Sequence, residues 1–284
     1  MFYKTIIALF LTATTACNNT GKLKLITDLP KQLNENSGIV TFNLKSAWFI
    51  EDSGNNDKIY KVNFDGKIVK TLEVKGVKNK DWEDLTKDDK GNVYIADTGN
   101  NENKRKDLVI YKIPNPEIEK GGKIDAEAIH FYYPEQEKFP PKKNHLFYDA
   151  EAIFYYNNFL YLITKNRSHP FNGEAFVYKI PSIAGNHKAQ LIDTLNFCDD
   201  WNTCQITSAD IAPDGSKLIL LSYGKLFIIT DFKDANFSKG KIESIDLEST
   251  NQLESVCFLN QSTLLLSDEK KGSTGRNMYS FKLK

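Results

Sequence analysis

Five in-order copies of one hairpin pattern predict an all-β chain folded as a propeller of five four-stranded blades. An aromatic content of 12%, with 13 Tyr and 18 Phe, and the lack of alanine-rich helical runs after the first residues point the same way. The copies are "ENSGIVTFNLKSAWFIEDSG", "DWEDLTKDDKGNVYIADTG", "DAEAIFYYNNFLYLITKN", "TSADIAPDGSKLILLSYG" and "LESVCFLNQSTLLLSDEK". Each has a polar start, a short apolar stretch, a turn and a strongly apolar strand. Lys-Gly-Asn, Asn-Asn, Pro-Asp-Gly and Asn-Gln mark the turns, as tight hairpins require.

The chain has 284 residues, 40% hydrophobic and 26% charged, ordinary values for a globular protein. Acidic and basic residues balance at 37 each, so there is no basic surplus for nucleic acid and no acidic tail. The opening "MFYKTIIALFLTATTAC" carries Lys4, an apolar run from Thr5 to Thr12, and small residues up to Cys17. It is expected to be a lipoprotein-type signal peptide over 1–17, with Cys17 as the lipidated residue. Plain secretion with cleavage near Cys17 is the alternative. Residues 18–21 would be a tether and 22–284 a single propeller domain.

The blades follow in order. Each hairpin leads into a third strand: "KIYKVNF", "LVIYKIP", "AFVYKIP", "KLFIITDF" and "MYSFKLK". Four copies then supply a fourth: "KIVKTLEV", "EAIHFYYP", "AQLIDTLNF" and "KIESIDL". The last copy runs out of chain, so "KLKLITDL", Lys22 to Leu29, is expected to complete it and leave no open edge. A degenerate sixth blade in Glu117–Lys143 is the alternative count.

Placing the acids on this frame locates a site. The start of each first strand and each turn between second and third strands share one channel mouth. The repeats align Ser37, Glu83, Glu151, Ala209 and Glu254 in one column, followed by Gly38, Asp84, Ala152, Asp210 and Ser255. Two residues before the first column stand Glu35, Asp81, Asp149, Thr207 and Gln252. The turns bring Glu51 and Asp52, Asp97 with Asn100 in "DTGNN", Lys165 with Asn166 and Arg167, Ser222 and Tyr223, and Asp268 and Glu269. Carboxylates so gathered repel unless neutralised. Ca²⁺ is the economical solution, with Glu83, Glu151, Glu254 and Asp149 as ligands. Salt bridges to Lys165 and Arg167, or solvation, are the alternatives. Glu51, Asp97, Asn100, Lys165, Arg167, Trp201, Tyr223 and Asp268 are the expected ligand-binding set. Trp201 is suited to stacking or to packing, Trp82 to capping the core and Trp48 to filling it. His169 is a loop histidine, and "FPPKKNH" a stiff basic connection at the same face.

Cys198 and Cys204 in "FCDDWNTC" are close enough in sequence to pair in an oxidising compartment. Cys257 in "SVCFL" reads as a buried thiol. No CxxC pair, nucleophile elbow, P-loop, HExxH or dinucleotide fingerprint occurs.

The stretch "NSGIV…EDSGNNDKIYKVNFDGKIVKTLEV", followed by "DWEDLT…NVYIADTGNN", resembles the SdiA-regulated and related NHL-type propeller proteins of bacterial envelopes over roughly Asn36 to Pro114. That resemblance implies an extracytoplasmic propeller, membrane-attached through its lipid only. "SADIAPDGSKL" distantly resembles the gluconolactonase and paraoxonase propellers, whose mouth holds Ca²⁺ for lactone or ester hydrolysis. Ala209 departs from that pattern. The expectation is a monomeric, lipid-anchored envelope propeller that binds a small molecule, envelope protein or glycan at an acidic mouth, with calcium. A calcium-dependent hydrolase of lactones, esters or phosphoesters is the alternative.

Overall fold

The computed structural model describes residues 20–283; the proposed leader and Cys17 lie outside the described residues. Five antiparallel sheets stand in a ring. Blade 1 is Asn36–Asn43, Ser46–Glu51, Lys58–Asn63 and Ile68–Val74. Blade 2 is Trp82–Lys87, Val93–Asp97, Val109–Ile113 and Glu127–Tyr132. Blade 3 is Ala150–Tyr156, Phe159–Thr164, Glu174–Pro181 and Gln190–Asn196. Blade 4 is Ile206–Ile211, Lys217–Ser222, Lys225–Thr230 and Lys241–Asp246. Blade 5 is Leu253–Asn260, Thr263–Asp268 and Asn277–Lys282, completed by Lys24–Asp28 from the other end of the chain. Lys24 pairs with Ser280 and Asp28 with Asn277, so the ring closes on strand hydrogen bonds.

Packing explains the sequence pattern. Blades meet face to face, so an inner or second strand is covered on both sides. Val93–Asp97 is buried at every position, and such strands read as unbroken apolar runs. The outermost strand Lys241–Asp246 is mostly exposed and mostly polar. Alternate residues of one strand serve different interfaces. Trp48 and Ile50 pack with Val93 and Ile95 of blade 2, while Ala47 and Phe49 pack with Leu265 and Met278 of blade 5. There are five such apolar clusters, one at each junction between neighbouring blades.

Two elements differ from expectation. Lys123–Ile124 adds a short parallel strand to the edge of blade 1, and Gly185–Lys188 does the same for blade 2. Each comes from the connection between the third and outer strands of the following blade and covers an outer edge that would otherwise lie open. The Glu117–Lys143 region thus supplies an edge strand and the outer strand of blade 2, and no sixth sheet forms among the described residues.

One irregularity recurs in all five blades and sets up the site. Near its start each inner strand carries an extra, unpaired residue. These are Ser37, Glu83, Glu151, Thr207 and Glu254. A bulge re-aims its side chain, which is why such residues gather at barrel and propeller rims. The fourth member is Thr207, not Ala209. The second column likewise holds Ser208 rather than Asp210, and the residue two before Thr207 is Gln205. Asp210 had mimicked Asp84 in the repeat and shifted the alignment by two.

Below the rim the channel is closed. Inner-strand N–H groups facing the axis have no strand partner, so side chains accept them. The buried Asp84 carboxylate accepts from Ile153 at 3.1 Å and Ala209 at 3.3 Å, and from the Ser208 hydroxyl at 3.1 Å. It therefore ties blade 2 to blades 3 and 4 across the axis. Ser208 accepts from Val256, and Asp210 from Phe258 at 2.7 Å. The mouth is consequently a basin with a floor, not the end of an open pore.

Candidate functional site

Glu83 and Glu151 occupy the bulge of blades 2 and 3, and Asp149 enters blade 3 just before its bulge. Carboxylate oxygens of these three lie within 4.8 Å of one another. Two cations from the turn after the second strand of blade 3 reach in. Lys165 Nζ donates to Glu151 at 2.7 Å, and Arg167 spans Asp149 at 2.6 Å and Glu151 at 2.7 Å. Arg167 also bonds Asn101. Lys165 is almost fully buried. Burial alone would lower its pKa, but Glu151 more than reverses this and holds it above its ordinary value. Burial raises Glu151, while Lys165 and Arg167 pull it back.

Glu83 has no such partner. The residue is 8% exposed, and its carboxyl makes no hydrogen bond among the described residues. Burial raises its pKa well above the carboxylate range, and Glu151, Asp81 and Asp149 raise it further. Its neighbour is the backbone of Gly99, where a Cβ would lie 2.0 Å from Glu83 Oε1 and 2.4 Å from the Asp81 carboxyl. This turn does not use glycine for left-handed backbone, unlike the similar turn at Gly54, whose φ is 78°. It uses glycine to let two acids approach.

Glu254, the bulge residue of blade 5, stands outside the three-acid group. Its Oε1 accepts from Tyr223 at 3.1 Å and from Gln252 at 2.8 Å. Tyr223 also accepts from Lys165 at 3.0 Å, so its hydroxyl links Lys165 to Glu254. Gln252 donates as well to Glu269 at 2.7 Å. Burial, then Glu254, push Glu269 up to about 9. Burial and Glu35 push Asp52 and Glu51 each up to about 7, and burial with Asp149 pushes Asp81 up to about 6.

The remaining expected residues separate into two kinds. Asp97 and Asp268 are fully buried and engaged within their own blades. Asp97 pairs with Arg105 at 2.8 Å, and Asp268 accepts from Tyr279 and from the Asn277 N–H, both at 2.7 Å. Asn100 latches blade 2 to blade 3, its N–H donating to Asp149 at 2.6 Å and its amide to Tyr148. These three hold the rim in shape. Trp201 faces a cleft instead. Cys198 and Cys204 form a disulfide, Cα atoms 5.9 Å apart, at the ends of the loop that carries it. Trp201 meets His169 and Phe171 edge-on. The cleft beside it has a volume of about 450 Å³ and is lined by Trp201 and Tyr223, by the amides of Asn202, Gln205, Asn251 and Gln252, by the hydroxyl residues Thr203, Ser249 and Thr250, and by Lys271. Tyr223 and Gln252 are shared between the cleft and the mouth. Cys257 is a buried free thiol.

Sequence reasoning missed Arg105 and Asn101, which stand in a polar run after a turn, where nothing distinguishes a bonded charge from a solvated one. It also left the cleft unremarked, because its amides come from two loops far apart in sequence.

The fold and mouth define a five-bladed propeller with a floored, charged rim and an adjoining cleft that presents no carboxylate. Neither a known protein family nor a curated protein matches the chain. Among solved structures, the PQQ-bound form of an aldose sugar dehydrogenase from Streptomyces coelicolor is similar over 93% of this chain and 98% of that one, with a TM-score of 0.51 and 11% identity. At that identity the likeness is one of fold. No helix among the described residues is long and apolar enough to cross a membrane.

Proposed function

We propose that this chain is a cell-envelope binding propeller, attached to the membrane through a lipid on Cys17, that takes a saccharide in the cleft beside its mouth. One observation carries the reading: the cleft pairs an aromatic wall, Trp201 and Tyr223, with four amides and three hydroxyl residues and presents no carboxylate. An aromatic face stacks on the apolar face of a sugar ring, while amides and hydroxyls match its hydroxyl groups. The volume falls within the ~300–1,000 Å³ usual for small-ligand pockets. The charged rim positions Tyr223 and Gln252 from behind. A small molecule or the end of an envelope glycan fits such a site equally well, and the resemblance to envelope propellers accords with either.

Titration of the chain with neutral oligosaccharides, followed by tryptophan fluorescence and calorimetry, tests the reading. Binding that weakens at least about tenfold, or ~1.4 kcal/mol, in Trp201→Ala supports it. Equal binding in that variant, or none by any oligosaccharide, refutes it.

A second reading has one observation in its favour, the approach of Glu83, Asp149 and Glu151 within 4.8 Å. Hard oxygen donors suit Ca²⁺, and an ion there would supply Lewis acidity for hydrolysis of lactones, esters or phosphoesters. The fit is partial. Three carboxylates fall short of the ~6–8 oxygens calcium takes, and Lys165 and Arg167 already occupy two of them. Thermal unfolding with calcium and with chelator decides this reading: a bound ion raises the midpoint, and superimposed curves remove it.

A further inference from the structure

Blade 2 carries a pocket of its own, which shares no residue with the cleft. Its volume is about 180 Å³, and four aromatic residues, Phe131, Tyr132, Tyr133 and Phe139, form most of its wall. Its polar members are Arg105, Lys106 and Gln136, and no carboxylate lines it. Glu135 and Glu137 flank Gln136 in sequence without facing the pocket. Three segments meet here. Phe131 and Tyr132 end the outer strand of blade 2, Arg105 and Lys106 precede its third strand, and Tyr133 to Phe139 belong to the connection toward blade 3. Two of the rings stand out at a protein surface: Tyr132 is 57% exposed and Phe139 37%. An aromatic wall with few polar groups is usual for a small-ligand site. This volume is below the ~300–1,000 Å³ of most such sites, so it suits a single ring.

The polar groups indicate what that ring carries. Arg105 is committed to Asp97 at 2.8 Å, to the Gly99 carbonyl at 2.8 Å and to Asp107 at 3.2 Å. The Gln136 amide donates to the Asn103 carbonyl at 2.8 Å. Lys106 differs. Its ammonium lies 4.7 Å from the centre of the Phe139 ring and forms no ion pair or hydrogen bond among the described residues. An independent observation concerns Tyr133, which is 3% exposed: its hydroxyl is buried with no hydrogen-bond partner among the described residues. Burial raises the pKa of that hydroxyl, so it keeps its proton and stays a donor. Native proteins rarely leave a buried donor unpaired. Both uncommitted groups of the pocket therefore lack an acceptor.

We infer that this pocket binds a small, single-ring aromatic carboxylate. The ring lies against Phe131, Tyr132 and Phe139, and the carboxylate takes the Lys106 ammonium. An oxygen of the ligand also gives the Tyr133 hydroxyl the acceptor it lacks. The charge of the wall selects against the other ligand classes. A metal ion would find no carboxylate, and an organic cation would meet two cations.

Phenylacetate and phenylacetamide test this, because they share a ring and differ in charge. Each is titrated into the full chain and followed by ligand-observed NMR. Phenylacetate is expected to bind about tenfold more tightly and to lose that advantage at high salt. Lys106→Gln should erase the preference; Lys106 is exposed and unpaired, so the variant is expected to fold normally. Phe139→Ala should weaken both probes. Tyr133→Phe should weaken phenylacetate while leaving the thermal midpoint unchanged or higher, since it deletes a hydroxyl that bonds nothing in the free protein. Unchanged binding in Tyr133→Phe overturns the Tyr133 contact. Equal affinity for the two probes overturns the inference, as does a lack of binding by both. Binding that survives Phe139→Ala but is lost in Trp201→Ala places the ring in the cleft and overturns it as well.

Discussion

Replacing Glu269 by Gln should stabilise the protein, and by more at higher pH. Glu269 rises from 4.5 to about 9 on folding, through burial and then through Glu254, Asp52 and Glu35. Its folded value lies above its unfolded value, so the folded chain binds more protons between those limits. Its contribution to stability is therefore greatest below pH 4.5 and is lost progressively as pH climbs toward 9. At pH 7, the 2.5 pH units above 4.5, at ~1.4 kcal/mol each, set a ceiling of ~3 kcal/mol. At pH 5 the same reckoning gives only ~0.7 kcal/mol. A glutamine has the carboxyl's shape and no charge to bury, and its amide oxygen can keep the bond that Gln252 now makes at 2.7 Å. Partial exposure and screening reduce the ceiling, so the expected gain at pH 7 is ~1–3 kcal/mol, or about 2–6 °C in a domain of this size. Thermal and urea unfolding of both proteins from pH 5 to pH 9 measure it. The difference between the two is the readout, because Glu51, Asp52 and Asp81 contribute slopes of the same sign to both. A gain that is constant with pH, or a loss, would refute the claim that Glu269 is buried against other acids.

Three further perturbations probe the rim. Arg167→Met strips the cation from the fully buried Asp149 and one of two cations from Glu151; a loss of ~3–5 kcal/mol in urea unfolding is expected, and Arg167→Lys should recover only part because it cannot span both acids. A change below ~1 kcal/mol would show that the pair adds nothing. Gly99→Ala places a methyl group against Glu83 and Asp81 and should cost ~1–3 kcal/mol, partly restored by Glu83→Ala in the same chain; undiminished stability would mean that the turn can move away. Asp84→Asn removes one acceptor from the axial knot and should cost ~1–3 kcal/mol, with faster amide exchange at Ile153 or Ala209, whereas unchanged exchange at both would count against Asp84 as the channel's floor.

The blades were legible because each inner and second strand is covered on both faces, which writes continuous apolar runs into the sequence, and because the missing fifth outer strand had a matching segment at Lys22–Leu29. The short parallel strands Lys123–Ile124 and Gly185–Lys188 were not, since two to four polar residues on an outer edge have no period to detect. The slip in blade 4 has a similar origin. A shift of two residues keeps the same strand face, so Asp210 could be laid over Asp84 although their partners differ: Asp84 crosses the axis, while Asp210 caps only the adjacent strand.

The site was legible in position and not in charge. Repeat alignment was enough to gather Glu83, Glu151 and Glu254 at one rim. It could not tell that Asp97 and Asp268, the apparent acids of the second ring, turn into their own blades to hold Arg105 and Tyr279. Nor could it tell which acids keep a cation. The chain as a whole balances at 37 and 37, which argues against a strong field anywhere. Folding undoes that balance locally. Many lysines sit on outer strands or connections, where they pair with exposed acids, as Lys123 does with Glu73 and Lys75 with Asp125. Lys165 faces Glu83 and Glu269, but its Nζ is bonded to Glu151, and Arg105, which faces Asp81, is bonded to Asp97. A neutral sequence thus yields a rim on which the acids outnumber the cations that reach them.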